Sequence, residues 1–295
     1  MILLSLFTVS AGAAETKPIE FPAESRIAFI GNTLVERDVH HGYLETLLIA
    51  ALPETNITFR NLGWSGDNVR CESRQGFGQS ADGMAHLARH VADFKPNVIF
   101  LNYGLNESFG GPATLPAFSA DLATLLEMIS KNAAPGAKIV LFSIIAQEAM
   151  GRPLPDPMRH NENIRLYNGA IARIAGERGA AYLDLFDLPT VFAKATPNAH
   201  FTENAIHPSP AGWKFFGQEV VRRMGLPAAT WDNRLEQIRT LVLEKNQLFF
   251  HRWRPQNETY IFGFRKKEQG RNAVEIPQFD PLIAEKEAAI AKIKK

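Results

Sequence analysis

Cysteine is almost missing from this chain. Of 295 residues only Cys71 carries a thiol, so neither an internal disulfide framework nor a four-cysteine zinc site can form. Cys71 reads as an ordinary small buried side chain. Charge of one sign is lacking too: 32 Lys and Arg stand against 31 Asp and Glu, a net +1. No global field therefore recommends nucleic acid or an anionic membrane as partner. No apolar run approaches the ~20 residues that span a bilayer. The lysine-bearing phosphate loop, the paired-histidine zinc helix and Gly-x-Ser-x-Gly are all absent. Gly76-Phe77-Gly78-Gln79-Ser80-Ala81 has dinucleotide-loop spacing, but the polar segment 70–75 before it is no strand. His40-His41 and His86 with His90 lack further ligands, so neither a metal nor an organic cofactor is expected.

What is present points to a folded enzyme-sized domain. Apolar residues make up 45% of the chain, enough for a sizeable core. The run Met1 to Val9 followed by Ala11-Gly12-Ala13-Ala14 reads as a signal peptide over 1–14, although no basic residue precedes it. The expectation is export, to the periplasm or outside the cell, with no integral membrane segment after cleavage.

Five β-rich runs follow: Ile27 to Ile30, Ile57 to Leu62, Val98 to Tyr103, Ile139 to Ser143 and Tyr182 to Leu185. Helical stretches separate them, near Gly42 to Ala51, Ala81 to Asp93, Ala117 to Lys131 and Glu162 to Arg178, and another follows near Ala211 to Met224. This alternation predicts an α/β fold, a three-layer α/β/α sandwich with a central parallel sheet of about five strands, over residues 25–225. A mainly helical extension is expected over 226–295: a helix near Trp231 to Gln247, an aromatic and basic segment from Phe249 to Arg271, then a last helix with an apolar stripe of Leu282, Ile283, Ile290 and Ile293. The patch Phe249-Phe250-His251-Arg252-Trp253-Arg254 suits either packing against the main domain or a sugar ring and its anions.

In a parallel sheet the ligand crevice lies beyond the carboxyl ends of the strands. There stand Gly31-Asn32-Thr33-Leu34, Gly63-Trp64-Ser65-Gly66-Asp67-Asn68 and Gly104-Leu105-Asn106-Glu107, joined late in the chain by Asn204-Ala205-Ile206-His207-Pro208. Acyl transfer needs a nucleophile, a base and donors for the developing oxyanion. Thr33 offers a hydroxyl and His207 an imidazole. The N–H groups of Thr33 and Gly66, with the Asn106 amide, offer the donors. Each residue also has a plainer reading: Thr33 as a helix cap, His207 as a turn histidine, Gly66 as a turn glycine and Asn106 as the head of a glycosylation triplet.

The four segments, in this order, resemble the SGNH hydrolases, the GDSL-type esterases and lipases, over roughly Arg26 to Met224. Gly66, Gly104, Asn106 and His207 match that family's blocks. The nucleophilic serine falls on Thr33, with Asn32 where the family has aspartate, and the last-block aspartate falls on Asn204. The resemblance implies an ester hydrolase, an O-acetyl esterase on carbohydrate, with Thr33, His207 and Asn204 catalytic. Thr33, Gly66 and Asn106 would form the oxyanion hole, and Asn32, Gly104 and Glu107 would line the substrate. Its partner would be a small-molecule or carbohydrate ester; no oligomeric state is implied. Asn204 is expected to accept from the histidine's Nδ1–H without supplying charge, and Glu203 is a second candidate for that place. The two replacements also admit another reading, a binding module that keeps the pocket and has lost efficient turnover. The extension admits a third, an interaction subunit of an envelope assembly.

Overall fold

The computed structural model describes residues 19–76, 78–268 and 272–294, so the expected signal peptide lies outside the described residues. Five strands form one sheet: β1 (Glu24–Gly31), β2 (Asn56–Asn61), β3 (Val98–Asn102), β4 (Lys138–Phe142) and β5 (Ala181–Leu183). Their order is β2-β1-β3-β4-β5 and every pairing is parallel. The α/β/α expectation is therefore met, with each of the five β-rich runs supplying one strand.

The helices in chain order are α1 (Thr33–Arg37), α2 (Tyr43–Ala51), α3 (Ser80–Phe94), α4 (Leu105–Ser108), α5 (Leu115–Asn132), α6 (Met158–Arg178), α7 (Leu188–Ala195) and α8 (Pro210–Arg223). Beyond them lie α9 (Asn233–Trp253), α10 (Glu258–Ile261) and α11 (Phe279–Ile293).

Strand side chains alternate between the two faces, as the period of two requires. Ile27, Phe29, Val98, Phe100, Val140 and Phe142 join one buried cluster with Leu44, Leu48, Trp213 and Phe216 of α2 and α8. Ala28, Ile30, Ile99, Leu101 and Leu141 join the other with residues of α3, α5 and α6. Both faces are covered, which is why the strands read as continuous apolar runs.

The C-terminal segment packs into the first of these clusters. Leu235, Ile238 and Val242 of α9, one helical stripe, are fully buried there beside Trp213. Lys245 of α9 is buried against Glu45 of α2, whose other oxygen accepts from Asn246 at 3.1 Å. Helix α9 runs on to Trp253 rather than stopping near Gln247, because Trp253 is itself an anchor, packed against Trp64 and His90. In α11, Ile283 and Ile290, seven residues apart, face inward, whereas Leu282, one residue off that stripe, is exposed.

Candidate active site

Strand β1 ends directly in α1. Asn32 is buried and its side chain caps that helix, accepting from the Leu34 N–H at 3.3 Å. Thr33 is the first helical residue, so its backbone N–H lies outside the intrahelical ladder. Its hydroxyl accepts a hydrogen bond from the Gly66 N–H at 2.9 Å. Gly66 has φ +73°, in the left-handed region that favours glycine.

The turn carrying Gly66 is held from three sides. On one, Glu36 of α1 accepts from the Ser65 N–H at 2.7 Å and the Ser65 hydroxyl at 2.8 Å. On another, the Asn106 amide donates to the carbonyls of Gly66 at 2.9 Å and Asp67 at 2.8 Å. Beneath, the fully buried Asp67 accepts from Arg74 Nε at 2.6 Å and from the Tyr103 hydroxyl at 2.8 Å. Arg74 also reaches the Leu62 carbonyl at 2.9 Å, tying the turn to the end of β2. Burial pushes the Tyr103 phenol well above its ordinary pKa, so it stays a donor to Asp67.

The last block is a tight loop pinned at its base. An isolated bridge pairs Thr202 with Pro208, and the Glu203 N–H donates to the His207 carbonyl at 2.9 Å. Glu148, from the segment after β4, accepts from the N–H groups of Phe201 (3.2 Å) and Thr202 (2.8 Å), from the Thr202 hydroxyl and from His200. Burial alone would raise the Glu148 pKa; the hydrogen bonds from Thr202, His200 and Phe201 together outweigh it and hold the carboxylate below its usual range. Arg37, one turn beyond Thr33 on α1, pairs with Glu203 and so draws the loop onto the helix that carries Thr33.

Within that loop Asn204 behaves differently from the expectation. Its Oδ1 accepts from the backbone N–H groups of His207 at 2.9 Å and Ile206 at 3.3 Å. The oxygen being occupied, it is the amide nitrogen that faces His207 Nδ1, at 2.9 Å. An amide N–H donates there and Nδ1 accepts, which puts the neutral ring's proton on Nε2. Asn204 thus sets the tautomer opposite to the one that a carboxylate would set. Burial lowers the His207 pKa, Arg37 lowers it further, and Glu203 partly offsets both.

Thr33, Gly66 and Asn106 are accordingly joined in one hydrogen-bonded array, and Arg37–Glu203 brings the His207 loop to the same helix. No hydrogen bond joins the Thr33 hydroxyl to His207 among the described residues. Asn106, expected to face the oxyanion, commits both amide protons to the turn, because two carbonyls converge on it. The three residues expected to line the substrate are built into the scaffold. Asn32 caps α1. Gly104, at φ +110°, starts α4, where a Cβ would meet Ile144 Cδ1 at 2.9 Å. Glu107 accepts from the Val69 N–H at 2.8 Å, and burial raises its pKa. Glu203, the second candidate partner for His207, is taken by Arg37.

The other histidines lie elsewhere. His41 stacks on Trp213 at 4.9 Å, and burial, ahead of neighbouring charges, takes its pKa down to about 4. His86 and His90 bring their Nε2 atoms to 3.4 Å beside Trp253. Burial, reinforced by nearby charges including Arg74 and Arg89, lowers both. No group of three or more His, Cys, Asp or Glu side chains able to hold a metal ion occurs among the described residues. The sequence does not single out Glu36, Arg74 or Glu148, and Asp67 stands there only as part of its turn; Glu36 and Arg37, three and four residues after Thr33, are its neighbours on the helix surface.

Comparison with known proteins bears on the family and the fold. The GDSL-like Lipase/Acylhydrolase family matches residues 29–214. No curated protein matches the chain. Among solved structures, one similar fold is BT4096, a gut microbial diltiazem-metabolizing enzyme, 12% identical, covering 95% of this chain and 97% of that one with a TM-score of 0.68. Another is Axe2, an acetylxylan esterase from Geobacillus stearothermophilus, 20% identical over 73% of this chain and 100% of that one, TM-score 0.55. A third is LAE5, an alpha/beta hydrolase enzyme from the metagenome of Lake Arreo, Spain, 18% identical over 68% and 95%, TM-score 0.52.

Proposed function

Because this chain belongs to the GDSL-like lipase/acylhydrolase family, we propose that it is a carboxylic ester hydrolase in which Thr33 attacks the acyl carbonyl and His207 moves the proton. The observation that carries this reading is the Gly66 N–H on the Thr33 hydroxyl at 2.9 Å, which puts nucleophile and oxyanion donor at one point. As Thr33 Oγ1 bonds to the carbonyl carbon, its proton passes to His207 Nε2, and the carbonyl oxygen takes the negative charge. The N–H groups of Gly66 and Thr33 then donate to that oxygen. Collapse expels the alcohol, which takes the proton from His207, and water repeats the sequence to free the acid. For Nε2 to accept, the ring must first carry its proton on Nδ1, so the Asn204 amide has to turn its oxygen inward.

The substrate in this reading is an O-acetyl group on a carbohydrate. Support comes from the fold shared with an acetylxylan esterase, solved with its catalytic serine, aspartate and histidine each replaced. In that esterase the histidine follows the aspartate by three residues, the spacing of His207 after Asn204. Export to the periplasm or beyond also belongs to the proposal, supported by the apolar run at Met1 to Val9 and the small residues after it; cell fractionation tests it. Purified protein should cleave 4-nitrophenyl acetate and acetylated xylo-oligosaccharides, and His207→Ala should abolish both. Unchanged turnover in that variant would reject the assigned base.

The Asn204 amide facing His207 Nδ1 favours a second reading, a binding module that retains an acyl pocket without efficient turnover. It requires saturable binding of an acylated saccharide with no product released.

A further inference from the structure

The C-terminal helix α9 ends beside the turn that carries Gly66. Arg254, the residue that closes α9, donates from Nη1 to Glu36 Oε2 at 2.5 Å, and its guanidinium lies 3.5 Å from the Trp64 ring centroid. Both partners belong to the site's own framework: Trp64 precedes Ser65 and Gly66 in the turn, and Glu36 lies on α1 three residues after Thr33. The same Glu36 carboxylate accepts from the Ser65 N–H and hydroxyl.

From these contacts we infer that Arg254 is a positioning residue for the oxyanion donor, acting through Glu36 and Trp64. The inference rests on the reading of Thr33 and Gly66 as reacting groups. The Gly66 N–H belongs to the rigid peptide plane between Ser65 and Gly66. Asn106 holds that plane's downstream side through the Gly66 and Asp67 carbonyls. Upstream, Ser65 is held by Glu36 alone among the described side chains, with both carboxylate oxygens engaged. A carboxylate with several rotatable bonds fixes a turn only if its own position is fixed. A planar guanidinium that meets the carboxylate and lies on an indole does so with little rotamer freedom. The role of α9 thus extends from packing the core to aiming one N–H at Thr33 Oγ1.

The experiment compares Arg254→Ala, Arg254→Lys and Glu36→Gln with the wild-type full chain. Turnover of 4-nitrophenyl acetate, amide hydrogen exchange of segment 64–67 and melting midpoints are recorded for each. The expected result for Arg254→Ala is a fall in kcat of about 10- to 100-fold, the range that follows when a remote change displaces a catalytic group by a fraction of an ångström to an ångström. KM should stay within about threefold, because the acyl and alcohol contacts are untouched. Arg254→Lys should recover part of the loss. Adding Arg254→Ala to Glu36→Gln should cost little beyond Glu36→Gln alone, as for a residue that acts through the one already changed. The Ser65 and Gly66 amides should exchange at least about tenfold faster while those of β1 and β3 are unchanged. A kcat within twofold of wild type, or unaltered exchange at 64–67, overturns the positioning role. Were the wild type inactive on simple esters, the ester-hydrolase reading would fail, and the exchange measurement alone would decide the role of Arg254.

Discussion

Replacing one atom in the last block should accelerate this protein. In Asn204→Asp the nitrogen facing His207 Nδ1 becomes an oxygen, while the other oxygen keeps its bonds to the His207 and Ile206 N–H groups. The ring then carries its proton on Nδ1 at rest and presents Nε2 as an acceptor. In the wild type that state requires the amide to turn, giving up two backbone hydrogen bonds worth roughly 1 kcal/mol each, or about 30-fold in rate. The missing carboxylate charge adds to this; a carboxylate-to-amide change beside a triad histidine costs about 10⁴ in kcat. Asn204→Asp should therefore raise kcat on 4-nitrophenyl acetate by at least about 30-fold and at most about 10⁴-fold. The pH profile supplies an independent sign. The base must be neutral, and in the wild type burial and Arg37 hold the His207 pKa below its ordinary value. A carboxylate at 204 favours imidazolium and raises that pKa, so the acid limb of kcat/KM should move to higher pH in the faster enzyme. Nitrogen-15 shifts of His207 should report an Nε2-protonated ring in the wild type and an Nδ1-protonated ring in the variant. A folded Asn204→Asp protein with equal or lower turnover and an unmoved acid limb would refute the tautomer argument.

Three further outcomes test other parts of the structure. Thr33→Ser removes a methyl group that crowds the attacking oxygen and stiffens χ1, so kcat should rise several-fold, whereas Thr33→Ala should fall to background; wild-type turnover in Thr33→Ala would exclude Thr33 as nucleophile. Arg74→Met leaves Asp67 charged in a fully buried site and should cost about 3–5 kcal/mol in a urea titration; an unchanged midpoint would show that the pair does not hold the turn. Burial, with Glu45 adding and Lys245 opposing, pushes the Asp38 pKa up to about 7. The folded state keeps a proton that the unfolded chain releases near pH 4, so this contribution to stability is full below that pH and is lost as pH rises through about 7. Asp38→Asn should flatten the fall in urea midpoint between pH 5 and 7.5, and an equal slope in both proteins would remove Asp38 as its cause.

Much of the site was legible before any fold was known, because it lies where local signals are strong. A β-rich run followed by a glycine-bearing polar turn marks a strand's carboxyl end, and Thr33, Gly66 and Asn106 each sit two to five residues past the end of such a strand. The roles of Asn32, Gly104 and Glu107 were less legible. A polar side chain near a strand end serves a cap or a ligand equally well in sequence, and here each is committed to scaffold. Helix α9 extends past Gln247 although Phe249 and Trp253 carry β-favouring side chains, because tertiary burial of Trp253 overrides that preference.

By itself the amino-acid order determined the parallel α/β sheet, the helical C-terminal segment and the residue types available for acyl transfer, because strand and helix periodicities are properties of neighbouring residues. Only the tertiary structure decided how those residues are used. Whether Asn204 offers His207 an oxygen or a nitrogen depends on which backbone N–H groups claim the oxygen first. That Glu36 meets Arg254 depends on contact across 218 residues of chain. Hydrogen-bond direction and long-range ion pairing arise from which groups the packed core brings together, and no spacing along the chain encodes them.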